Sequence, residues 1–246
     1  MKEAMYYENL KDNIVQCHLC PKNCVIKKGN FGNCNARQNN DGKLYSMVYG
    51  RVTGIAIDPV EKKPLFHFLP GKGVFSIGTT GCNLHCKFCQ NWTTSQVKPG
   101  EIGVEEATPT QIVEEAIKSG AHMIAYTYNE PIIFYEFVLE TAKLAKKKGL
   151  KNIIVCNGFI NDKPLKELLP YLDAANIDLK SFDDKFYRDV CGAWLEPVLN
   201  TLKTINNSKV HLEITNLIIP KLNDKSILVK KMCEWIKKEL GAEVPL

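Results

Sequence analysis

One stretch decides the fold: Val74-Phe75-Ser76-Ile77-Gly78-Thr79-Thr80-Gly81-Cys82-Asn83-Leu84-His85-Cys86-Lys87-Phe88-Cys89-Gln90-Asn91. Residues 74–77 read as a buried strand running directly into a loop with cysteines at C-x3-C-x2-C spacing. Beyond it, strand and helix patterns alternate. Residues 108–119 are expected to be helical, with Pro109 suited to a first turn and Ile112, Val113 and Ile117 at helical spacing. Strands are expected at 123–128, 153–156, 174–179 and 210–219, and helices at 132–148, 164–169, 184–189, 196–205 and 226–240. Such alternation implies an α/β chain with a parallel sheet, open or closed, and right-handed crossovers. Ligands of these folds sit beyond the C-terminal strand ends, where the cysteine loop falls. Glu243-Val244-Pro245-Leu246 would only begin a sixth strand, so the last unit is expected to be incomplete.

The chain has 246 residues, 45% hydrophobic and 24% charged, with 32 Lys+Arg against 27 Asp+Glu. That suffices for one large domain with a small appendage and a core that needs no staples. Composition excludes a collagenous, low-complexity or disordered chain. A formal charge of +5 is mild, and no basic block interleaved with aromatics marks a nucleic-acid surface. Lys143, Lys146, Lys147, Lys148 and Lys151 read as a solvated helix end. The start is polar and charged, and no run reaches about 18 apolar residues. Neither a signal peptide nor a membrane span is expected, and the location is expected to be cytoplasmic.

Ten cysteines carry the most information. Seven form two tight groups, Cys17-x2-Cys20-x3-Cys24-x9-Cys34 and Cys82-x3-Cys86-x2-Cys89. Cys156, Cys191 and Cys233 are isolated and read as small buried apolar side chains. In a long chain without an export signal, two thiolates two residues apart indicate metal rather than disulfides, since both reach one tetrahedral centre. The first group lies amid Gly29, Asn30, Gly32, Asn33 and the run Gln38-Asn39-Asn40-Asp41-Gly42, which is turn chemistry. Residues 1–45 are therefore expected to be a metal-stapled module, holding either zinc or a second iron–sulfur cluster. Residues 46–73 read as a connector and 74–246 as the alternating unit. In the connector, Glu61, Lys62 and Lys63 read as a surface turn, with substrate binding as the alternative, and His67 as a packed, hydrogen-bonded side chain, with a place in the active site as the alternative. The second group can hold three irons of a [4Fe–4S] cube and leave the fourth open. Zinc on three cysteines with His85, or plain buried thiols, are the alternatives.

C-x3-C-x2-C with Phe88 before the last cysteine, after a strand and ahead of alternating units, resembles the signature of the radical S-adenosylmethionine (SAM) enzymes. The resemblance implies a partial (β/α)6 TIM-like barrel and an oxygen-sensitive [4Fe–4S] cluster on Cys82, Cys86 and Cys89. SAM would chelate the open iron through its amino and carboxylate groups. One electron would cleave the bond from sulfur to the 5′ carbon, and the 5′-deoxyadenosyl radical would abstract a substrate hydrogen atom in a dry site. Other family positions fall at later strand ends. Tyr126-Thr127-Tyr128-Asn129-Glu130-Pro131 stands where the family usually has Gly-Gly-Glu, so Glu130, assisted by Thr127 or Asn129, is expected at the methionine amino group. Asn157-Gly158 resembles a family Asn-Gly, and Asp178-Leu179-Lys180 resembles that of glycyl-radical-enzyme activases, with Asp178 and Lys180 on one face. Glu213, Thr215 and Asn216 fall in the region used against ribose and adenine. Cys191 is weighed as a hydrogen donor and reads better as a buried thiol.

Longer strings narrow the resemblance. Cys17-His18-Leu19-Cys20-Pro21-Lys22-Asn23-Cys24, Gly32-Asn33-Cys34, Tyr45-Ser46-Met47-Val48-Tyr49-Gly50-Arg51, the stretch at 57–71 and Tyr126-Thr127-Tyr128-Asn129-Glu130-Pro131 together resemble one branch. It is the radical SAM enzyme of the AmmeMemoRadiSam system, often described as pyruvate formate-lyase-activating-enzyme-like. That resemblance implies an electron donor such as a ferredoxin or flavodoxin and protein partners of the system, without fixing a substrate. A glycyl-radical-enzyme activase is the second enzyme reading, disfavoured because residues 92–106 lack the cysteines of a ferredoxin insert. An iron–sulfur or zinc scaffold is the non-enzyme reading. The two cysteine groups are expected to be independent, so that replacing Cys20 leaves the spectrum of the Cys82 group in place.

Overall fold

A computed structural model describes residues 1–246. The chain opens with two small antiparallel sheets. One contains β1 (Lys2–Glu3), β5 (Arg37–Asn40) and β6 (Lys43–Ser46); the other contains β2 (Tyr7–Asn9), β3 (Val15–Cys17) and β4 (Val25–Ile26). A seven-stranded sheet follows. Its strands are β7 (Arg51–Pro59), β8 (Gly73–Gly78), β9 (Glu105–Glu106), β10 (Met123–Tyr126), β11 (Lys151–Cys156), β12 (Ala174–Asp178) and β13 (His211–Thr215), in the order β13-β12-β11-β10-β8-β7-β9. Strands β8 and β10 to β13 are mutually parallel, and β7 adds antiparallel to the outer side of β8. The helices are α1 (Trp92–Ser95), α2 (Pro109–Lys118), α3 (Tyr135–Lys147), α4 (Asp162–Leu168), α5 (Asp184–Phe186), α6 (Leu195–Asn206) and α7 (Ser226–Glu239). Thr108 and Gln111 close a reciprocal capping box at the start of α2, with Pro109 in its first turn. No helix is long and apolar enough to cross a membrane.

The parallel strands read as continuous apolar runs because both of their faces are covered. Phe75, Ile77, Ile124, Tyr126, Ile154 and Ile177 face the helices and join a core of 52 residues. Alternate residues Val74, Met123, Ala125, Ile153 and Ala174 face the other way, into a separate seven-residue core completed by Val60 and Leu65. Those last two belong to the chain between β7 and β8. That segment crosses the inner face to the far strands: Asn176 Nδ2 donates to the Pro64 carbonyl at 2.8 Å, and the N–H groups of Phe66 and His67 donate to Glu213 at 3.0 and 2.9 Å. It closes the inner face at the N-terminal ends of the strands.

Several expectations are corrected. Lys63 is not on a surface turn; it is 3% exposed, because its segment plugs the sheet. The His67 ring is hydrogen-bonded to Glu213 but solvent-exposed. Cys233 is exposed, since α7 buries only Met232 and Ile236. The expectation of an incomplete last unit is not among these: no sixth strand forms, and the terminal residues lie beside β13, where the Ile214 N–H donates to the Pro245 carbonyl at 2.9 Å. The amino-terminal sheets pack onto the larger unit. Cys17, Leu19, Ile26, Ala36 and Leu44 belong to the large core. Arg37 of β5 and Glu136 of α3, each 1% exposed, form a buried ion pair, and the same Glu136 oxygen accepts the Met5 N–H at 2.8 Å.

Removing one partner of a buried ion pair leaves an uncompensated charge, so Arg37→Ala is expected to cost about 3–5 kcal/mol in denaturant unfolding. An Arg37→Met, Glu136→Leu double variant should lose much less. Equal losses would mean that the pair does not join the two parts of the chain.

Candidate active site

The C-terminal ends of β8, β10, β11 and β12 open onto one cavity of about 330 Å³, within the range of small-ligand sites. Cys82, Cys86 and Cys89, on the loop leaving β8, line it together with Thr127, Asn129, Glu130, Asn157, Asp178 and Lys180. Lys62, Lys63 and Pro64 of the plugging segment also line it. The structure therefore brings together nine of the residues singled out from the sequence.

Hydrogen bonds between strand exits hold the cysteine loop. The exits of β8 and β10 approach so closely that a Cβ on Gly78 would stand 2.9 Å from the Thr127 carbonyl oxygen. Asn129 bridges them, its Nδ2 donating to the Gly81 carbonyl at 2.6 Å and its Oδ1 accepting from the Thr79 N–H at 3.2 Å. Asn157 Nδ2 donates to Asn83 Oδ1 at 2.9 Å, and Asn83 Nδ2 donates to the Phe159 carbonyl at 2.8 Å. The His85 and Lys87 N–H groups donate to the Cys191 and Val190 carbonyls, both at 2.9 Å. Cys191 ends a π-helical turn, a feature that recurs at functional sites. Ser95 Oγ lies 3.3 Å from Cys89 Sγ. The amides of Asn129 and Asn157 thus position the loop.

Charge in the cavity is divided between buried groups. Glu130 is fully buried; its Oε1 accepts the Ile132 N–H at 3.0 Å and its Oε2 the Asn157 N–H at 2.9 Å. Burial pushes its carboxyl up to about 7, against the pull of those donors. Lys180 Nζ pairs with Asp178 Oδ2 at 2.7 Å; burial works against its charge, yet the Asp178 carboxylate holds it above the ordinary lysine value. Lys63 Nζ lies 2.9 Å from Asp58 Oδ2 and 4.6 Å from the Tyr128 ring centre. Burial, and then the Glu130 charge, push the Cys82 thiol well up, whereas the hydrogen bond from Cys191 draws Cys86 down. Three free thiols on one loop, beside a carboxylate and an ammonium–carboxylate pair, suit a cluster with an open iron and a ligand bearing both amino and carboxylate groups.

Glu213, Thr215 and Asn216 do not line this cavity. Glu213 is directed to the plug: besides Phe66 and His67, its carboxylate contacts His211 Nε2 at 2.9 Å. Burial alone would raise its carboxyl, but the Phe66, His67 and His211 donors bring it below the usual range. Thr215 pairs in register with Asp178, and Asn216 Nδ2 donates to the Leu179 carbonyl at 2.6 Å. The sequence reading missed Tyr128 and Asn83, and gave Lys63 a place at the site only as the alternative to a surface turn. Nothing in Glu61-Lys62-Lys63 separates a lysine side chain 69% exposed from one 3% exposed. The segments that carry the two cysteine groups touch: Asn33, beside Cys34, meets His85 of the second loop, Oδ1 to Nε2, at 3.1 Å.

A carboxyl raised in the folded state costs nothing below the unfolded value near 4.5 and costs most above 7. Stability of the metal-free protein is therefore expected to fall by on the order of 3 kcal/mol across that interval through Glu130. Unfolding of wild type and Glu130→Gln at several pH values checks this; the variant should lack that part of the slope, and identical slopes would contradict it.

The Radical SAM superfamily pattern matches residues 76–229. The chain is 48% identical over all 246 residues to the uncharacterized protein MJ0808 of Methanocaldococcus jannaschii, covering 73% of that protein. It is 24% identical over 169 residues to the pyruvate formate-lyase-activating enzyme of Clostridium pasteurianum, which takes in 66% of this chain and 69% of the relative. Streptococcus suis SuiB bound to S-adenosylmethionine superposes with a TM-score of 0.53 at 14% identity, over 65% of this chain and 36% of SuiB, a likeness of fold alone. By sequence pattern, relatives and a mostly parallel sheet that presents its cysteine loop at the strand ends, the chain is an enzyme of the radical SAM superfamily.

Proposed function

We propose that Cys82, Cys86 and Cys89 hold a [4Fe–4S] cluster with one open iron and that SAM binds there, on the inner face of a partial barrel with five parallel strands. The observation that carries this is that all three free thiols line a single cavity at the C-terminal ends of the parallel strands. When bound, cluster and SAM supply one-electron cleavage of a carbon–sulfur bond and a radical able to abstract hydrogen. The chain supplies the rest. Glu130 accepts a hydrogen bond from the amino group of the ligand, and Lys180, oriented by Asp178, meets its carboxylate. Thr127 offers a hydroxyl beside Glu130. Asn129 and Asn157 keep the cysteine loop in register with the neighbouring strand ends. Leu84, Phe88, Val155 and Leu217 give the cavity apolar surface.

The activating-enzyme relatives are named for their action on pyruvate formate-lyase, a protein. We extend that class to this chain: hydrogen abstraction from a protein substrate, with electrons from a ferredoxin or flavodoxin, partners from the AmmeMemoRadiSam system and a cytoplasmic location. The resemblance of the long connector string at 57–71 to that branch supports the reading, as does the place of its Lys62, Lys63 and Pro64 in the cavity wall.

Anaerobic protein reconstituted with iron and sulfide, reduced with dithionite and given SAM is expected to release 5′-deoxyadenosine. Cys82→Ala, Cys86→Ala and Cys89→Ala should each reduce that release to the level of a protein-free control. Normal turnover in any one of them would overturn the assignment.

A further inference from the structure

A second, smaller pocket lies behind the cysteine loop, and the four amino-terminal cysteines line it: Cys17 on β3, Cys20 and Cys24 in the turn after it, and Cys34 before β5. All four thiols are free. The centre of a water-sized sphere can move through about 20 Å³ inside it. Adding the sphere's own radius of about 1.4 Å makes the pocket roughly 6 Å across. A tetrahedral ion bound at about 2.3 Å by four thiolates fills its own site and leaves no such space. Consistently, no three Cys, His, Asp or Glu side chains converge on a single-ion position. The pocket is built for a larger group whose ligands stand apart.

Donors are already aimed at two of the sulfurs. The Asn33 N–H lies 3.5 Å from Cys24 Sγ, and Arg37 Nη1, on a side chain 1% exposed, lies 3.6 Å from Cys17 Sγ. Hydrogen bonds to ligand sulfur are among the levers that tune iron–sulfur centres. The remaining walls are largely apolar, with Leu19, Ile26 and Ile133 among them.

We propose that Cys17, Cys20, Cys24 and Cys34 ligate a second iron–sulfur cluster of the cube type, set against the back of the loop that carries Cys82. The two sites share a wall. The Asn83 side chain lines this pocket, while its neighbours Cys82 and Leu84 line the main cavity. Gly81 packs so closely on the other ligand segment that a Cβ there would stand 2.4 Å from the Cys34 carbonyl oxygen. Loss of the outer cluster is therefore felt at the inner one.

The test is metal and sulfide analysis of anaerobic protein, as isolated and after reconstitution with iron and sulfide. Wild type is expected to hold about eight irons per chain, and a Cys82→Ala, Cys86→Ala, Cys89→Ala triple variant about four, with a reducible visible absorption retained. About one zinc per chain with no iron in the triple variant would overturn the proposal in favour of a single-ion site. Seven titratable thiols in the denatured triple variant, with neither metal bound, would overturn it outright. If the triple variant does not fold, the wild-type count decides: about eight irons supports the proposal, and about four with zinc refutes it.

Discussion

Glu213 divides the inner face of the sheet into a packed half and a chemical half. Its carboxylate, 3% exposed on the last parallel strand, receives the N–H groups of Phe66 and His67 and so holds the segment between β7 and β8 across the sheet. Val60 and Leu65 of that segment fill the lower inner face against Val74, Met123 and Ile153. Above it the inner face is left unfilled, and the floor of that space is Lys63 and Pro64. A buried carboxylate is stable only when its lone pairs are satisfied. Here two of the satisfying donors belong to the plug, and Asn176 holds the Pro64 carbonyl beside them, so the depth of the cavity follows from these contacts.

The amino-terminal segment is part of the same construction. Its apolar residues are too few to order it alone, and it borrows the core of the larger unit through Cys17, Leu19, Ile26 and Leu44. The Arg37–Glu136 pair fixes the joint, since a misplaced segment would strand a charge in the interior. One consequence is chemical. The segment that carries four cysteines is pressed against the loop that carries three, through Asn33 and His85 and through Cys34 and Gly81. Whatever occupies the first set then bears on the geometry of the second.

Much of this was legible in the sequence, for local reasons. Strand-to-cysteine-loop continuity at 74–89 and the strand–helix alternation depend on period and spacing, which a sequence displays directly. Face assignment was legible as well: Glu213 does point inward, as period 2 requires. Depth was not. Residues 213 and 215 share a face, but the plug that occupies Glu213 comes from a segment some 146 positions away in the chain. The burial of Lys63 beside exposed Lys62 has the same cause. In each case the deciding contact is non-local.

The central claim is that the three thiols of the Cys82 loop present an open metal position to SAM inside this cavity. It is tested most directly by electron paramagnetic resonance of the dithionite-reduced, reconstituted protein with and without SAM. Direct ligation predicts that the signal lost in the Cys82→Ala variant is the one whose line shape changes when SAM is added. A reduced signal that stays unchanged at saturating SAM would contradict the account, because the cluster would then have no position open to the ligand.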